Sequence, residues 1–185
     1  MRYVRAIMLL AALLLVPALL VAEQDSEPKL SEGPQNLGAD KLALAGYDAV
    51  AYHTEEKPVM GDPAITATYA GGVFRFASAE NREVFVADPE YYLPAYGGYC
   101  AFGFGVDPEA YGVTPGRYQV NPKSFAVIDG RLHLFYRAGD FDGLAEWRKD
   151  QEGAKQRADV LWAGQVEGEN KIREMRRQAV EGVEQ

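Results

Sequence analysis

The chain has 185 residues, with 27 acidic against 19 basic side chains and a formal net charge of −8 at pH 7. That length gives room for one domain of ordinary size. The acidic balance speaks against a nucleic-acid partner, because phosphate binding needs a positive face.

Residues 1–22 read as a secretory signal peptide: Arg2 and Arg5 come first, then an almost wholly apolar run over 6–20, then Ala22 as the small residue before Glu23. The apolar run is shorter than the roughly 20 residues a spanning helix needs, and Pro17 interrupts it. On this reading the mature protein is periplasmic or secreted, and it meets a membrane only through this segment before cleavage. Residues 23–36 are polar and contain Pro28 and Pro34, the composition of a flexible spacer.

Folding is expected from 37 onward. Leu42, Ala43, Leu44, Tyr47, Val50 and Tyr52 form an apolar block broken at Gly46, which reads as two short buried extended pieces; 53–58 then reads as a surface connection. The alternating run 73–76 pairs with 66–69 through Gly71-Gly72 as a hairpin. Ser78 caps a helix over 79–87, with Val84, Phe85 and Ala87 on its apolar side, and Asp88-Pro89 stops it.

Aromatic density climbs after Pro89, with Tyr91, Tyr92, Tyr96, Tyr99, Phe102 and Phe104 in what reads as a glycine-rich loop. Such rings either wall a core or line a pocket. Gly97, Gly98, Gly103 and Gly105 allow close backbone approach under either reading. Residues 105–122 read as a long irregular loop. A second hairpin joins 125–128 to 132–135 through Asp129-Gly130, with Leu132, Leu134 and Tyr136 on one face and Arg131, His133 and Phe135 on the other. Residues 143–163 turn helical, with Leu144, Trp147, Val160, Leu161 and Trp162 as the expected buried positions. The charged tail 165–185 has the sparse apolar spacing of a frayed helix.

The blocks GYDAVAY (46–52), SAENR (78–82), YGGYCAFG (96–103), VIDGRLHLFY (127–136) and RADVLW (157–162) occur in that order. Together they resemble the exported bacterial proteins with a YHS domain, a module related to the TRASH metal-sensing fold. The likeness covers residues 37–164. It implies a small single α+β domain with two β-hairpins packed against helices. Metal-binding members of the wider family carry cysteines in a D-P-V-C block and an F-C-S-x-x-C block. Ala51, Ala77 and Asn81 stand at those positions here, so the usual thiolate cage is absent.

Cys100 is the only cysteine, which leaves it as a buried thiol, an intermolecular link, a metal ligand or a redox-active group. Three readings follow for function. The first is binding of a transition metal such as copper, or of zinc, through Cys100 with His53, His133 and Met60, since thiolate, thioether and imidazole suit those ions. Against it, His53 reads equally as a loop histidine and His133 as a solvent-facing strand residue. The second is a metal-free module that binds a small ligand or partner, with Tyr96, Tyr99, Phe102, Tyr47 and Tyr52 as pocket residues. The third is a redox-sensitive thiol protein. Catalysis is the weaker alternative, because no base neighbours Cys100 in sequence and no C-x-x-C is present.

Overall fold

A computed structural model describes residues 34–181; the expected signal peptide and most of the spacer lie outside them. The fold is α+β, built from three antiparallel two-stranded hairpins with helices between and after them. The first hairpin pairs β1 (Asp62–Tyr69) with β2 (Gly72–Phe76). The second pairs β3 (Asn121–Ile128) with β4 (Arg131–Phe135). Both expected hairpins form; the second turns at Asp129-Gly130 as expected, whereas the first turns one residue earlier than expected, at Ala70-Gly71, and Gly72 opens β2. Each first strand starts earlier than the alternation suggested, because a register shift near Asp62 and another near Asn121 add residues the period-two pattern does not show. A third, very short hairpin joins β5 (Arg137–Ala138) to β6 (Phe141–Asp142).

Several segments expected as extended or loop are helical. The apolar block before 53 folds as two 3-10 turns, Ala39–Lys41 and Leu44–Gly46, followed by α1 (Ala51–Thr54). Asp48 starts α1: its Oδ1 accepts the N–H groups of Val50 at 2.9 Å and Ala51 at 3.3 Å. Helix α2 (Ala79–Ala87) begins on Ser78 as expected, with Ser78 Oγ accepting the Asn81 N–H at 3.1 Å. Of its expected apolar side only Phe85 is buried, and Val84 is exposed, because the helix touches the core along a narrow stripe.

The aromatic stretch is likewise no open loop. It forms α3 (Pro89–Tyr92), a 3-10 turn at Ala95–Gly98, and α4 (Ala101–Gly105). One short helix, α5 (Pro108–Tyr111), interrupts the following segment. The helical C-terminal region divides at Asp150 into α6 (Gly143–Lys149) and the long α7 (Gln151–Glu181), and α7 runs on through the expected start of the tail. Asp150 leaves the helical region at φ −146° and ties the break to both helices: its N–H donates to the Trp147 carbonyl in α6, while its Oδ1 accepts the Gly153 N–H and its Oδ2 an N–H of Arg157 in α7.

β4 is the wall between two cores. Leu132 and Leu134 face the first core, with Phe74, Phe76, Phe85, Leu93 and Tyr52. Phe135 faces the second, with Phe104, Trp147, Ala158 and Trp162. The expected alternation is therefore right for β4, but both of its faces are covered. His133, at 2% exposure, is buried rather than solvent-facing, because the second core closes over that face. Trp147 and Trp162 are buried as expected; Val160, expected with them, is 72% exposed, since α7 turns it away from the core. Chain contacts begin before 37: the Asn36 N–H donates to the Gly97 carbonyl and its side-chain amide to that of Gly98.

Candidate functional site

Cys100 sits at the start of α4 and caps it. Its Sγ accepts the Gly103 N–H at 3.4 Å and the Tyr136 N–H at 3.1 Å, and its backbone bridges to Leu134. The side chain is buried. Burial pushes the thiol up, outweighing the backbone N–H groups that favour the thiolate. This is the environment of a packed thiol. Native protein is expected to be inert to aromatic disulfide reagents and to react once unfolded; rapid labelling of the native state would overturn that. Cys100→Ala, which removes the acceptor for two N–H groups, is expected to cost about 1–2 kcal/mol in denaturant titration.

The other expected metal ligands lie apart from it. His53 is on α1, half-buried between Tyr91 and Tyr92 with both ring centroids at 5.3 Å; its surface-loop reading gives way to this aromatic contact. Its Nε2 is buried with no hydrogen-bond partner among the described residues. Met60 is 55% exposed, where its backbone bridges to Tyr47. Among the described residues no three His, Cys, Asp or Glu side chains are grouped to hold a metal ion.

The five expected pocket aromatics also separate. Tyr52 is buried in the first core, where its OH donates to the Pro122 carbonyl at 2.8 Å and its ring meets Phe125 edge-on. Tyr47 packs against the same core. Tyr99 and Phe102 belong to the second core; Tyr99 lies under the Arg117 guanidinium and Phe102 packs on Tyr111 and Phe141. Of the five, Tyr96 lines the cavity between the second hairpin and α7.

That cavity, about 500 Å³, lies between the β3–β4 turn and α7. Ala95, Ile128, Trp162 and Ala163 supply apolar wall; Asp129, Arg131, Lys155 and Asp159 bring charge; Tyr96 and His133 also line it. Tyr96 has a left-handed backbone, φ 54°, an unusual conformation for a bulky buried residue. Its OH donates to Asp159 Oδ1 at 2.8 Å, and Lys155 Nζ donates to Asp159 Oδ2 at 2.9 Å. Burial, and then the Asp159 charge, push the Tyr96 phenol well above its ordinary range, so it stays a donor. Its ring packs on Phe104, His133 and Trp162.

His133 Nδ1 lies 2.9 Å from the Arg131 carbonyl. A carbonyl only accepts, so Nδ1 carries the proton and Nε2 carries the lone pair in the neutral ring. Burial pushes the imidazole pKa down; the Arg131 carbonyl and Asp159 oppose this, while Lys155 and Arg131 add to it. The His53 pKa is lowered too, by burial. Both histidines thus bind protons less readily folded than unfolded. Their stabilisation is complete above the ordinary value of 6.5 and is lost as pH falls below it. The thermal midpoint is expected to drop between pH 7.5 and 5.5, and His133→Gln, whose amide can keep the Arg131 contact, should shrink that drop. An unchanged drop would overturn the assignment to His133.

Sequence reading missed Asp129, Arg131, Lys155 and Asp159. The Lys155–Asp159 pair at i,i+4 was readable as a helical ion pair. Its pairing with Tyr96 crosses 63 positions and carries no local signal. No protein-family model matches this chain, and no curated protein and no solved structure shows significant similarity to it.

Proposed function

We propose that the protein is an exported binding module of YHS-like kind that takes a small organic molecule in the cleft beside Tyr96. The observation that carries this is the cleft: its volume falls in the ordinary range for small-ligand sites, and an apolar wall is combined with a few fixed polar groups around a buried tyrosine. The YHS-like kinship has its own support. Ala51, Ala77 and Asn81, the positions at which metal-binding members carry cysteines, converge on one carboxylate: Asp48 accepts the backbone N–H of Ala51 and of Ala77 and the side-chain amide of Asn81. Polar N–H donors and a carboxylate occupy the place a thiolate cage would need. This favours the organic-ligand reading over copper or zinc at Cys100, whose sulfur is already engaged by two backbone N–H groups.

The test is heteronuclear NMR of the purified protein against a set of small organic fragments, with elemental analysis in parallel. Fragment-induced shifts are expected to cluster at Ala95, Ile128 and Ala163, with copper and zinc well below one per chain. One tightly held copper or zinc per chain that is lost in Cys100→Ser would overturn the reading in favour of a metal site.

A further inference from the structure

The charges at the cleft divide into a bonded pair and an unbonded pair. Asp159 is held by Lys155 and by the Tyr96 hydroxyl, so these two charges largely neutralise each other in place. Asp129 and Arg131 are different: both line the cleft, and neither side chain is held in a hydrogen bond or ion pair among the described residues. They are carried by one tight turn. Ile128 pairs with Arg131, and the two loop residues Asp129 and Gly130 both have positive φ, 51° and 74°, the geometry of a tight two-residue hairpin loop. The turn therefore brings one carboxylate and one guanidinium to the same cleft with no hydrogen bond or ion pair holding either among the described residues, Asp129 lying within electrostatic reach of Lys155. Two carboxylates and two cations line the cleft in all, with a neutral imidazole beside them, so the site as a whole favours neither a net anion nor a net cation. The remaining wall, from Ala95, Ile128, Trp162 and Ala163, is apolar.

We propose that the ligand is a small zwitterion with an apolar body, an amino-acid-like molecule whose carboxylate meets Arg131 and whose ammonium meets Asp129. This rests on the cleft being a ligand site. Both charged side chains are exposed, so they serve selection among ligands more than raw affinity, while the apolar wall buries the body. A molecule with only one of the two charges leaves the opposite side chain unanswered. One with neither gains only the apolar contact.

The test compares L-leucine with isocaproate, which lacks the amine, and isoamylamine, which lacks the carboxylate, by NMR titration and calorimetry on the purified protein. Leucine is expected to bind at least about tenfold more tightly than either analogue, shifting Ile128 and Ala163. Arg131→Gln should reduce leucine and isocaproate binding but leave isoamylamine unchanged; Asp129→Asn should do the reverse. Asn-Gly is itself a favoured pair for this turn, so the second variant keeps the hairpin. Isocaproate or isoamylamine binding as tightly as leucine would overturn the zwitterion proposal while the cleft reading stands. No shift from any of the three, with other fragments still shifting the same residues, would do likewise. Silence from every fragment would sink both.

Discussion

Asp48→Ala is expected to lower the stability of the protein by about 4 kcal/mol, which for a domain of this size is a fall of about 10 °C in the thermal midpoint. Asp48 is fully buried and has no ion-pair partner among the described residues; its carboxylate is held by four N–H donors. Oδ1 accepts from Val50 and Ala51, and Oδ2 accepts from Ala77 at 2.8 Å and from the Asn81 amide at 2.7 Å. These donors belong to three elements, α1, the end of β2 and α2. Alanine would leave all four unanswered, those of Val50 and Ala51 in the buried core, and an unmade buried hydrogen bond costs more than a made one contributes. Asp48→Asn should recover little, because its amide would place donors against donors. A loss below about 1 kcal/mol in urea titration would show that water replaces the carboxylate and would overturn the role assigned here.

The second large effect is expected at Gly105→Ala, about 3 kcal/mol of destabilisation. Gly105 ends α4 where it crosses α7. A Cβ there would collide with the carbonyl of Ala154, 2.8 Å from its carbon, and lie 2.9 Å from Cζ3 of Trp147. Two of the three nearest atoms are backbone, so no side-chain rotation relieves the clash. The Gly105 carbonyl also accepts the Arg157 Nε–H at 2.9 Å, which fixes the crossing further. Gly164→Ala is the control: it lies on the same long helix, a Cβ there meets nothing within 4 Å, and alanine is the better helix former, so a gain of roughly 0.5–1 kcal/mol is expected. Equal effects of the two variants on chemical denaturation would remove close packing at the crossing as the cause.

Asp48 and Gly105 also mark how far sequence reading reaches. Gly105 was readable as a residue permitting close approach, but its partner was not, since Ala154 stands 49 positions later in an unremarkable helical run. Asp48 is one of 27 acidic residues and carries no pattern of its own; only the fold brings Ala77 and Asn81 to it. The aromatic stretch misled for a related reason. Glycines at 97, 98, 103 and 105 read as loop, yet Gly97 and Gly98 supply the positive φ of a 3-10 turn and Gly103 and Gly105 let a short helix pack against its neighbours. At the site, Tyr96 stands among five aromatics the sequence offers, and of those five it lines this cleft, because its ring sits at the edge of the second core where its OH reaches Asp159 on α7.

Features whose causes are local were legible along the chain. Asp129-Gly130 set the second hairpin and Gly71 placed the first to within a residue, Ser78 set the start of α2, and the mixture of short alternating and helical runs set an α+β domain. Those signals are confined to a few neighbouring residues, where backbone geometry and capping leave little choice. Tertiary structure alone decided which face of β4 stays dry, which tyrosine meets Asp159, and which charges of the Asp129–Arg131 turn are left unbonded beside α7. Each depends on burial and on pairings across tens of residues, set by how the two cores close on β4 and written in no single stretch of chain.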